Sequence, residues 1–121
     1  MGTVSLFVYG TLKRGQRNHR LLAGQEFLGE ARTRPEYVLY HLGGFPGLVH
    51  DLDSGQAVRG ELWRVDERVL PRLDGYEGVP DLFVRQEIAI QGCARPVVGY
   101  LFVGEVSRRP RCGDVWPRVA S

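Results

Sequence analysis

Alternating apolar and polar positions recur along the chain in short runs separated by glycine-rich turns. Near the start, Val4, Leu6 and Val8 share one face and Phe7 and Tyr9 the other, predicting a strand that stops at Gly10. Glu26–Arg34 predicts a second strand through Phe27 and Leu28, and Glu36–Leu42, rich in Tyr and Val, a third. Residues 57–65 carry Val58, Leu62 and Trp63 in a strand-like pattern, with Trp63 in the core. Leu82–Ile90 alternates with a phase slip near Gln86, placing Leu82, Val84, Ile88 and Ile90 opposite Phe83, Arg85 and Glu87. Val97–Val103, with Tyr100, is the last expected strand.

Helical signals are few. Asn18 is placed to cap a brief helix through His19–Leu22, stopped by Gly24, in which His19 packs or caps. Asp66 can cap a second helix whose inward stripe is Val69, Leu70 and Leu73, with Val65 and Leu70 as a hydrophobic staple. Pro71 should kink or restart that helix, which ends near Gly75. Gly43-Gly44-Phe45-Pro46-Gly47 predicts a tight irregular loop. A turn explains its glycines but not its phenylalanine, unless Phe45 forms the wall of something. Residues 104–121 predict an irregular tail holding Arg108, Arg109, Arg111 and Arg118, pinned by Trp116. Short strands, few helices and no strict strand–helix alternation together predict an α+β fold, a small mixed β-barrel with two or so short helices and its functional loops at one end.

Composition narrows the class. The chain has 121 residues, 43% of them hydrophobic and 25% charged, the expectation for one domain over residues 1–121 with a single core. A net charge of +2, with acids interleaved among scattered arginines, argues against nucleic-acid or membrane binding. No signal peptide or membrane span is expected, so a cytoplasmic protein is the default. Cys93 and Cys112 make no disulfide framework, and zinc would need more ligands than they offer. His41 and His50 are too far apart across flexible sequence to form a metal pair.

Two stretches carry candidate chemistry. In Tyr9-Gly10-Thr11-Leu12, Gly10 is expected to use backbone angles closed to other residues. A buried strand that runs into this turn makes a concave donor site for a small carboxylate or carbonyl. In Asp74-Gly75-Tyr76-Glu77-Gly78-Val79-Pro80, Glu77 follows a helix end among apolar neighbours. The negative end of the helix and desolvation should both raise its pKa, as general acid–base work requires. A solvated carboxylate at a helix end is the plainer alternative.

Together these stretches resemble the gamma-glutamylcyclotransferase-like family, most closely its gamma-glutamylamine cyclotransferase branch. The matching residues are Phe7-Val8-Tyr9-Gly10-Thr11-Leu12-Lys13-Arg14-Gly15-Gln16 with Asn18-His19-Arg20, then Val65-Asp66-Glu67-Arg68 and Leu73-Asp74-Gly75-Tyr76-Glu77. The resemblance implies that Tyr9, Gly10, Thr11 and Leu12 hold a gamma-glutamyl group and that Glu77 is the catalytic acid–base. It implies a small-molecule substrate whose alpha-amine attacks its own gamma-carbonyl, releasing 5-oxoproline and an amine without water, metal, nucleotide or other cofactor. Phe83 departs from the family, where tyrosine is frequent, and a longer C-terminal extension is missing. Tyr100 and Tyr76 are the residues that could replace the lost hydroxyl. The same features also fit a non-catalytic domain of this fold that binds a small carboxylate or a partner protein. The leaving amine and the oligomeric state are not encoded in any pattern of the sequence.

Overall fold

Alternation in the first strand divides the core in two. In the computed structural model, which describes residues 2–117, β1 (Thr3–Val8) sends Leu6 and Val8 into one apolar cluster with Trp63, Val65, Leu70, Leu73 and Phe83. Phe7 and Tyr9 enter a second cluster with Leu39, Leu48, Val97 and Trp116. Full burial of a side chain such as Leu6 stabilises the fold by roughly 1.5–3 kcal/mol. Each face of the strand therefore has a core of its own to bury against.

The remaining strands are β2 (Glu26–Arg32), β3 (Tyr37–His41), β4 (Pro46–His50), β5 (Arg59–Asp66), β6 (Phe83–Glu87), β7 (Val97–Phe102) and β8 (Arg111–Gly113). They form one eight-stranded mixed sheet in the order β2-β5-β1-β7-β4-β3-β8, with β6 on the other side of β7. The sheet curls into a half-barrel. Helical structure comprises a 3-10 turn at His19–Leu22, a second at Glu67–Val69, and one α-helix, α1 (Leu70–Tyr76). The Asp66 carboxylate accepts the Arg68 N–H and caps the second turn, and Pro71 falls in the first turn of α1, where a missing N–H costs nothing. The chain thus restarts its helix at the proline, as expected.

β7 is where the site begins. Its start pairs in parallel with β1 (Leu6 opposite Val98) and its end in parallel with β4 (Leu48 opposite Leu101), while β6 runs antiparallel along residues 98–102. β1 and β4 therefore share one edge of β7 and diverge along it, leaving a fork. Tyr9 fills it: its hydroxyl donates to the Tyr100 carbonyl oxygen at 2.6 Å and accepts the Leu48 N–H at 3.2 Å. Both contacts are buried, so water would not make good their loss. Tyr9→Phe should thus cost about 2–3 kcal/mol of stability with an unchanged m-value, measured by urea unfolding.

Several sequence expectations change. The loop predicted at Gly43–Gly47 is a two-residue hairpin turn plus the start of β4. Gly43 and Gly44 both have positive φ (89° and 84°), and the Leu42 N–H bonds the Phe45 carbonyl at 2.9 Å. Pro46 occupies the first residue of β4, where a proline is tolerated, so the strand is hidden by its own composition. The tail is not wholly irregular either, because β8 pairs with β3 and Trp116 is buried. Val97–Phe102 is consequently not the last strand. Leu82 and Phe83 exchange faces: Phe83 is 2% exposed and packs near Phe45 and Phe102, whereas Leu82 is 41% exposed. Arg118 lies outside the described residues.

Candidate active site

Gly10 lies two residues past the end of β1, just beyond the fork, and its role differs from the one expected. Its φ is not positive. Its hydrogen matters instead for space, since a Cβ there would lie 2.7 Å from Pro46 Cγ and 2.9 Å from Cδ. The loop passes so close to β4 that only glycine fits. Beyond it, the Lys13 N–H closes a turn onto the Gly10 carbonyl, and the Asn18 N–H bonds the Thr11 carbonyl. The N–H groups of Thr11 and Leu12 donate to no protein acceptor among the described residues. They remain available to a ligand.

Tyr9, Gly10, Thr11 and Leu12 line one cavity of about 40 Å³ together with Phe45, Pro46, Glu77 and Tyr100. Glu77 arrives there as the residue that ends α1, its N–H bonded to the Leu73 carbonyl at 2.9 Å. Its carboxyl makes no hydrogen bond or ion pair among the described residues, and burial pushes it up to about 7. α1 has only two turns, and desolvation is the cause that accounts for the shift. A carboxyl titrating near neutrality can take up and return a proton at little cost.

The two tyrosines in the cavity wall have other duties. Tyr9 is committed to the fork, and burial raises its hydroxyl far above the ordinary range. Tyr100 donates its hydroxyl to Asp74 Oδ1 at 2.7 Å, an oxygen also held by Arg85 Nε at 3.2 Å. Burial first, then that bond, keeps the Tyr100 hydroxyl protonated. Neither tyrosine can offer its proton to a ligand while these bonds stand. Phe45 is a wall, as its odd placement in a turn suggested.

The fold and this cavity can now be set beside known proteins. A family model described as gamma-glutamyl cyclotransferase, AIG2-like, matches residues 6–117. The chain belongs to this family. A Vibrio cholerae protein provisionally named gamma-glutamylcyclotransferase is 47% identical over 83 residues, covering 69% of this chain and 70% of that protein. Human gamma-glutamylaminecyclotransferase is 43% identical over 93 residues, which cover 71% of this chain but only 61% of the human protein. The crystal structure of an AIG2-like protein from Mus musculus matches with a TM-score of 0.80 and 29% identity, over 88% of this chain and 82% of that one.

Two residues of this AIG2-like chain support the site without having been singled out for it. Asn18 does not cap the 3-10 turn through its side chain. Its Nδ2 donates to Thr11 Oγ1 at 3.0 Å, and its Oδ1 accepts the Tyr76 hydroxyl at 2.7 Å. The loop and the end of α1 are tied together through one buried amide. Glu61, buried on β5, accepts the Arg14 N–H and Nε at 3.1 Å each and Trp63 Nε1 at 3.2 Å, fixing the far end of the loop. An acid in the otherwise apolar run Gly60-Glu61-Leu62-Trp63 was the available signal for it. His19 does pack, bonding the Leu12 carbonyl through Nδ1 at 2.9 Å with its ring 5.1 Å from that of Trp63. Among the described residues no group of three or more His, Cys, Asp or Glu could hold a metal ion, and no helix is long and apolar enough to cross a membrane.

Proposed function

We propose that this chain cyclises gamma-glutamyl amines, converting them to 5-oxoproline and a free amine, with Glu77 as the proton carrier and the Tyr9–Leu12 loop as the holder of the gamma-glutamyl unit. The observation that carries this reading is the shared cavity: Glu77, whose carboxyl has no partner among the described residues and is raised by burial, lines the same small space as Thr11 and Leu12, whose N–H groups are uncommitted. Family membership and the activity named for the human relative point the same way.

In the proposed reaction, Glu77 removes a proton from the substrate alpha-ammonium, and the freed amine attacks the gamma-carbonyl carbon. A ring C–N bond forms, the carbonyl electrons move onto oxygen, and donors of the loop stabilise that charge. Collapse breaks the bond to the outgoing nitrogen. Two of the three ammonium protons end on that nitrogen by way of Glu77, and the third stays on the lactam nitrogen, so charge and protons balance. Holding nucleophile and carbonyl folded together supplies up to about 7–11 kcal/mol of the acceleration.

The first test is incubation with gamma-glutamyl amines and detection of 5-oxoproline by mass spectrometry. Binding without product would favour the non-catalytic alternative. The pH dependence is a second test. Because the carboxylate form is the base, kcat/KM should rise with pH through an apparent pKa near 7. The bound ammonium favours that carboxylate, so the corresponding limb of kcat should lie at lower pH. A flat profile between pH 5 and about 8 would remove Glu77 from the proton-transfer role.

A further inference from the structure

A second cavity, of about 210 Å³, adjoins the first and shares Thr11, Phe45 and Glu77 with it. Its other walls are Arg17, Asn18, Tyr76, Leu82 and Phe83. We propose that it receives the outgoing amine, and that Arg17 selects amines whose carbon chain ends in a carboxylate or a comparable anion. This deepens the cyclotransferase reading and rests on it.

Position is the first argument. A carboxyl that protonates the departing nitrogen must touch it, so the substrate chain beyond that nitrogen has to run out of the first cavity past Glu77. The second cavity is the adjoining space, with Thr11, Phe45 and Glu77 as common walls. It is also the roomier of the two, as a site for the variable part of a substrate must be.

Lining chemistry is the second argument. Phe45, Leu82, Phe83 and the ring of Tyr76 give apolar walls suited to methylene groups. Leu82 and Tyr76 are 41% and 50% exposed, apolar surface that core packing leaves uncovered. Asn18 has spent its amide on Thr11 and Tyr76, so it holds the wall in place and has little left to offer a ligand.

Charge is the third. Among the described residues, Arg17 and Glu77 are the only charged ones lining this cavity. The Arg17 guanidinium makes no ion pair or hydrogen bond among the described residues, whereas Arg14 holds Glu61 and Arg85 holds Asp74. A planar guanidinium with all its donors uncommitted is matched to a carboxylate at the end of an apolar stem.

Three synthetic substrates test this: gamma-glutamyl amides of 6-aminohexanoate, of hexylamine and of 1,6-diaminohexane. They present the same reacting half and the same six-carbon stem, ending in carboxylate, methyl and ammonium respectively. The expected order of kcat/KM is carboxylate, methyl, ammonium, with the first preferred over the second by about five- to tenfold, the range of a charge-assisted contact at a partly exposed site. That ratio should shrink as salt is raised. Arg17→Ala should bring it close to one, and Arg17→Glu should reverse the order of the charged pair. A ratio near one in the parent protein, or an undiminished ratio in Arg17→Ala, overturns the assignment while turnover of the hexylamide leaves the cyclotransferase reading standing. Failure to cyclise any of the three overturns both.

Discussion

Glu77→Gln should lower kcat by roughly three powers of ten, within the range of two to four expected for loss of a positioned acid–base, while KM changes by no more than a few fold. Glutamine keeps the shape and polarity of the side chain and loses only its titration. The same substitution should raise stability, and the two effects share one cause. In the folded protein the carboxyl is held up to about 7 from an ordinary 4.5 by burial alone. Between those values the unfolded chain releases this proton and the folded chain keeps it, so the parent protein loses stability as pH rises through that window. The loss is complete above pH 7 and amounts to roughly 3 kcal/mol. Glutamine has no proton to lose. Urea unfolding should therefore find the two proteins equal near pH 4 and the variant more stable above pH 7. A variant that is no more stable at pH 8 than at pH 4, relative to its parent, would mean that Glu77 is solvated and ionises freely. Unimpaired turnover would remove it from the chemistry.

Gly10→Ala carries the second large effect. The new Cβ would sit 2.7 Å from Pro46 Cγ and 2.9 Å from Cδ, and a change of ring pucker moves Cγ but leaves Cδ close to its place. Either the loop or β4 must move. Overpacking of this kind costs about 1–3 kcal/mol, and a displacement approaching 1 Å between the loop donors and Glu77 would cost on the order of a hundredfold in kcat/KM. Because Gly10 does not use a positive φ, the penalty is one of space and not of backbone conformation. It should be relieved by making room. Pro46→Ala alone removes the obstructing ring, and the double variant Gly10→Ala with Pro46→Ala should recover most of the lost turnover. If the two changes are simply additive in a double-mutant cycle, the close approach to Pro46 is not what Gly10 is for.

Phe83 stands where the resemblance leads one to expect a tyrosine. It is 2% exposed, with its ring centroid 5.5 Å from that of Phe102 and 6.4 Å from that of Phe45. The ring packs against hydrocarbon on two sides and also forms part of the wall of the second cavity. The tyrosine hydroxyls around the two cavities, those of Tyr9, Tyr76 and Tyr100, are each spent on a protein partner: Tyr100 carbonyl, Asn18 and Asp74. The reaction proposed above needs none of them, because the loop N–H groups and Glu77 supply the donors and the proton.

Local pattern carried a good part of this molecule. Period-two alternation was enough to assign Leu6 and Val8 to one core and Phe7 and Tyr9 to the other, since a strand leaves a side chain no other choice. Asp66 as a cap, Pro71 as a restart and Glu77 at a desolvated helix end were equally legible, each depending on neighbours within a few residues. What stayed hidden depends on distant ones. The fork needs Tyr9 and Tyr100, 91 positions apart, and the tie between loop and helix needs Asn18 and Tyr76, 58 apart. Asn18 could therefore be mistaken for a cap, because the partner that outcompetes the local N–H is invisible until the chain closes. Gly10 looked like a residue chosen for its angles, and only the arrival of β4 beside it makes it a residue chosen for its size. β4 itself escaped because Pro46 and Gly47 are poor strand formers, held in a strand by β3 and β7 on either side. Sequence alone thus picked out the residues proposed here for the chemistry. Tertiary structure decided that they line one cavity, and that a second lies beyond Glu77, because closing a sheet brings together groups that no local rule relates.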